Sequence, residues 1–120
     1  MKLAVTIWNK RIAPVFDCAG TVLLLDVAAG SILSETTLDM NRRDLEDRAR
    51  TLRERGATEL ICGAISHEAK RRLLAEDIVL HPFVAGDVPT VLLAWSQNEL
   101  GREEFSMPGC GCAGVFGRHS

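Results

Sequence analysis

Two apolar runs, "ELICGAI" (59–65) and "DIVLHPF" (77–83), flank a single helical stretch, and no other feature constrains the fold as much. A strand that re-enters its own sheet through a helix comes back parallel, by a right-handed crossover. The intervening segment reads as that helix: Ser66 stands at the cap position, and Ala69, Leu73 and Leu74 are spaced to face inward. The chain therefore needs an α/β fold, and its 120 residues suffice for one domain with its own core.

The remaining segments complete a sheet. "LAVTIW" (3–8) is β-branched and apolar and predicts a buried strand; "TVLLLDV" (21–27) predicts a second. "SILSETTL" (31–38) alternates, with Ile32, Ser34, Thr36 and Leu38 on one face and Leu33, Glu35 and Thr37 on the other. That mixture suits an edge strand, and the short "AAG" connection makes the last two a hairpin. A first helix follows, with Asn41 as cap, Met40 and Leu45 at hydrophobic-staple spacing, and a stripe of Leu45, Ala49 and Leu52. The pairs Asp44–Arg48, Glu46–Arg50 and Arg50–Glu54 lie at i,i+4 on its wet side, and Gly56 ends it. Asp87 caps a third helix with Pro89 in its first turn, and Val88, Val91, Leu92 and Trp95 should face the sheet. Three strands, helix, strand, helix, strand, helix predict a mixed five-stranded sheet in three layers, with strand 3–8 central. This architecture resembles the ribonuclease-H-like fold. Residues 1–100 form the domain, and 101–120 read as a flexible Gly- and Cys-containing tail.

Composition excludes several roles. The net charge of -2 argues against nucleic-acid binding, which calls for a basic face. No apolar run approaches the roughly 20 residues that span a bilayer, and the N-terminus does not read as a secretory signal. A cytoplasmic location is expected, and with it four reduced cysteines. Cys62, inside a strand-like run, reads as a core residue; Cys18 stands in a loop beside Asp17 and Gly20.

Ligands of an open α/β sheet bind outside the carboxyl ends of the parallel strands. Three segments should converge there: residues 9–19, 63–67 and 84–87. The helix N-termini at Ser66 and Asp87 open on the same edge and would favour an anion. A two-metal nuclease needs acidic residues on the sheet, and residues 3–7 carry none. The candidates that remain at this edge include Asn9, Lys10, Arg11, Asp17, Cys18, Ser66 and His67. Of these, Arg11, Asp17, Cys18, Ser66 and His67 are the expected binding set. His81 follows a buried strand pattern and reads as structural; His119 carries no signal. In the tail, "MPGCGC" (107–112) sets Cys110 and Cys112 one residue apart among glycines, where both could reach one iron or zinc. A tetrahedral site would need two further donors.

"RIAPVFDCAGTVLLLDV", "ELICGAIS" and "DIVLHPFVAGDVPTVLLAWSQNEL", in that order, resemble the dinitrogenase iron–molybdenum cofactor biosynthesis family, whose NifX-like domain also ends the NifB protein. "MPGCG" looks like the tail of a small stand-alone branch. The resemblance runs from Met1 to about Leu100. It implies a ribonuclease-H-like fold and a non-catalytic protein that binds, carries or scaffolds an iron–sulfur or iron–molybdenum cluster at the loop edge. It also implies donor and acceptor proteins of cofactor assembly as partners, in the setting of nitrogen fixation. A monomer or weak homo-oligomer is expected. The alternatives are a metal-free regulatory or interaction module of the same fold, and a thiol redox protein using Cys110 and Cys112.

Overall fold

The computed structural model describes residues 1–28 and 31–97. In chain order it contains β1 (Lys2–Trp8), β2 (Arg11–Ile12), a 3-10 turn (Phe16–Cys18), β3 (Thr21–Ala28), β4 (Ser31–Asp39), α1 (Leu45–Glu54), β5 (Ala57–Ile61), α2 (His67–Ala75), β6 (Val79–His81) and α3 (Val88–Ser96). The sheet runs β4–β3–β1–β5–β6, with β2 paired to the end of β1. β1 lies antiparallel to β3 and parallel to β5, and β5 lies parallel to β6. The mixed sheet with β1 central and β4 at an edge is thus present, with three helices.

Alternation along β1 sends side chains to two cores. Ala4 joins Phe16, Val22, Leu52, Leu60 and Leu73 beneath α1 and α2. Leu3 and Val5 join Leu25, Ile61 and Val91 beneath α3. Ser66 and Asp87 cap α2 and α3 through Ala69 N–H and Thr90 N–H, as their sequence positions predict. Val91 is fully buried, while Leu92 and Trp95 pack against the same core partly covered. The Trp95 indole N–H donates to Glu59 Oε1 at 3.2 Å.

Four local expectations are corrected. α1 is capped by Asp44, not Asn41: Asp44 Oδ1 accepts from Asp47 N–H at 2.8 Å. Arg48 does not pair with Asp44 on the wet side; it is buried, 6% exposed. Leu74 points outward, 50% exposed, because the inward stripe of α2 needs just Ala69 and Leu73. In β4 the register slips by one residue: Asp26 pairs Ser34, but Val27 pairs Ile32. Leu33 is the extra residue of a β-bulge, and Ile32 thereby moves to the α3 face beside Val27.

No helix among the described residues is long and apolar enough to cross a membrane.

Candidate functional site

The segment between β1 and β3 determines what the carboxyl edge of the sheet can bind. Asn9 and Lys10 both have positive φ, 51° and 64°, and Trp8 pairs with Arg11 across them. This is a two-residue hairpin turn of the kind whose twist suits antiparallel strands. Asn at the first position was its one sequence signal, and Lys at the second obscured it, since few non-glycine residues hold positive φ. Phe83, after β6, is also at positive φ, 61°.

From this hairpin the chain crosses the edge of the sheet and is tied on both sides of it. On the α3 side, Val88 N–H donates to Lys10 O at 3.0 Å and Ile12 N–H to Gly86 O at 3.0 Å. On the α2 side, Ala64 N–H donates to Pro14 O and Phe16 N–H to Ala64 O, each at 2.8 Å. Gly63 lies directly beneath: a Cβ there would stand 2.4 Å from both Ala13 O and Pro14 O. The crevice expected at the strand ends is filled by the chain's own loop.

The helix N-termini are served internally as well. Asp17 accepts Ser66 N–H at 3.1 Å and the Ser66 hydroxyl at 2.6 Å, and Ser66 Oγ accepts Ala69 N–H. The Asp17 carboxylate therefore occupies the place an external anion would take at α2. At α3, the Val88 N–H is used by Lys10 O, Pro89 has none, and Thr90 N–H goes to Asp87 Oδ2 at 3.1 Å. The Thr90 hydroxyl and N–H, with Arg11 nearby, hold the Asp87 carboxyl below the ordinary carboxylate range. The reading of both termini as open anion sites is corrected on this ground: each cap already has its negative partner.

The expected binding set is thereby divided. Asp17 and Ser66 touch, and their chain neighbours Cys18 and His67 are both exposed. Arg11 lies across the loop with Asp87, to which it is bridged. His81 is on the α3 face, its Nε2 2.7 Å from Glu59 Oε1, which also accepts the Trp95 indole N–H. Among the described residues no three His, Cys, Asp or Glu side chains converge as metal donors. Cys110 and Cys112 lie outside the described residues.

What does open at this edge is a cleft of about 300 Å³ beside the loop, walled by Ile7, Trp8, Ala13, Val15 and Ala19, with Cys18 in its lining. Trp8 is 62% exposed, and the walls offer apolar surface together with one accessible thiol. Sequence reasoning missed the residue that positions this thiol. Arg48, from α1, donates through Nη1 to Ala19 O at 2.5 Å and to Phe16 O at 3.3 Å, and through Nε to Arg43 O at 3.0 Å. Its guanidinium thus closes the turn that carries Cys18.

The second described thiol behaves differently. Cys62 is fully buried, and burial, with the nearby Asp17 charge, pushes it up to about 12 from an ordinary 9.0. It remains protonated and is a poor ligand, as a core residue should be. At roughly pH 8, Cys18 is expected to be modified rapidly by a thiol reagent and Cys62 only after denaturation, since the thiolate is the reacting form. Because the folded value lies above the unfolded one, this group's contribution is complete below 9.0 and is lost as pH rises towards about 12. Modification of Cys62 at the rate of Cys18 in the folded chain would contradict this burial.

No family model matches the sequence, and no curated protein matches it. Solved structures do. PH0822 superposes with a TM-score of 0.76 at 13% identity, over 82% of this chain and 93% of its own. The fold of these proteins is the fold of this chain. A "putative dinitrogenase" of Methanocaldococcus jannaschii gives 0.69 at 16% identity, over 82% and 90%. The apo form of the orange protein from Desulfovibrio gigas gives 0.69 at 19% identity, over 82% and 88%.

Proposed function

We propose that this chain is a small non-catalytic carrier or scaffold for an iron–sulfur or iron–molybdenum cluster or its precursor, built on a ribonuclease-H-like domain of the dinitrogenase cofactor biosynthesis type. One observation carries the reading: an accessible thiol, Cys18, held by a buried arginine at an apolar cleft on the loop edge. Thiolate sulfur is the donor that iron–sulfur centres require. Likeness of fold to a "putative dinitrogenase" and to the orange protein supports it. Lys10, in the hairpin turn that follows the cleft-wall residue Trp8, supplies positive charge for an anionic cargo, while Arg11 stands beside Asp87. Since one thiol cannot complete a centre, Cys110 and Cys112 are assigned as the further ligands, with His67 and Asp17 at the margin. Donor and acceptor proteins of cofactor assembly are the partners.

The test is anaerobic loading with iron and sulfide, followed by metal and sulfide analysis and a visible spectrum. The native chain should take up iron and colour. Cys110→Ser/Cys112→Ser should lose most of the metal, and Cys18→Ser a substantial part. A colourless, iron-free native chain would reject the carrier reading in favour of a metal-free interaction module.

A further inference from the structure

α3 (VPTVLLAWS) carries no charged residue, and a helix apolar on nearly every side is normally covered on more than one. Val88, Val91 and Ala94 meet the sheet. On the flank toward β3 and β4, an apolar groove of about 560 Å³ runs the length of the helix, from Pro89 to Ser96, over Leu25, Val27 and Ile32. Leu93 is 59% exposed there and Ile32 50%. The bulge at Leu33 is what turns Ile32 into this groove.

We propose that the groove is the docking site of this chain's own segment 105–108, with Phe105 and Met107 as its anchors. Three observations favour this occupant. The described chain ends at Gln97, immediately after Ser96 at the groove's lower end, so the following segment is held at high effective concentration, which no separate copy matches. Phe105 and Met107 stand two residues apart in "FSMP", so an extended strand would present both to one side. The lengths also agree. Residues 98–104 can reach back about 23 Å when extended, and Gly101 suits a reversal of direction. Four extended residues cover about 13 Å, matching the nine-residue α3 at about 13.5 Å. Arg102 also complements Glu35 at the groove wall.

A segment lying in this direction delivers Cys110 and Cys112 past Pro89 to the loop edge. That consequence rests on the carrier reading; the docking itself requires no metal. The experiment therefore uses metal-free, full-length protein, comparing the native chain with Phe105→Ser/Met107→Ser. Binding of an apolar dye should rise severalfold in the double variant, with an unchanged monomeric mass by sedimentation and a domain that still melts cooperatively. In the converse variant, Leu93→Ser, an exposed position that leaves the core intact, chymotryptic cleavage after Phe105 should accelerate severalfold. Equal dye binding by the native chain and the double variant overturns the proposal. Sedimentation then distinguishes a groove open in both from one covered by a second copy in both.

Discussion

Replacing Arg48 with methionine is expected to destabilise the chain by about 3 kcal/mol, because two buried backbone acceptors lose a charged donor at once. Methionine keeps most of the apolar stem, so the loss reports the guanidinium and not the packing. The acceptors are Phe16 O and Ala19 O, which enclose Cys18 in the sequence. For a domain of this size the midpoint should fall by roughly 12 °C. The loop should also loosen, so alkylation of Cys18 should change rate while Cys62 stays protected. Lysine at this position should rescue only part of the loss, since one ammonium cannot reproduce a planar fork on several carbonyls. A loss below about 1 kcal/mol, the range of ordinary surface changes, would show that Arg48 does not hold the loop.

Gly63→Ala should cost about as much, about 3 kcal/mol, by overpacking. The added methyl meets the carbonyl oxygens of Ala13 and Pro14 at 2.4 Å, and both atoms are backbone. The loop cannot retreat without breaking the bonds from Ala64 N–H to Pro14 O and from Phe16 N–H to Ala64 O. Gly20→Ala is the matched control. Its Cβ would approach Asn41 Oδ1 at 2.8 Å, the end of an exposed side chain that can swing away. Its expected cost is below about 1 kcal/mol. If the two substitutions cost the same, the loop is not seated on Gly63, and the account of the filled crevice fails. With Gly63→Ala, Cys18 should also leave its cleft, so the rate of its alkylation should change together with stability.

Much of the architecture was legible in the residues because it rests on local periodicity. The crossover between β5 and β6, the central β1, the edge position of β4, and the caps at Ser66 and Asp87 each follow from spacing within a few residues. Cys62 was legible as core for the same reason. The site was less so. Asp44 has helical spacing to both Asp47 and Arg48, and sequence alone cannot say whether it caps a helix or pairs with a cation.

What the amino-acid sequence determined by itself was the order of the elements, most of the apolar stripe of each and the parallel return of β6 to β5, since these are written in contacts between near neighbours. Tertiary structure alone decided the chemistry of the edge. Asp17 reaches Ser66 across 49 positions, and Arg48 reaches Ala19 across 29. A carboxylate that fills a helix terminus and an arginine that abandons its helical partner for distant carbonyls leave no periodic signature. Their energies depend on burial that exists only once the sheet has assembled, when an unpaired carbonyl or charge becomes costly enough to select its partner.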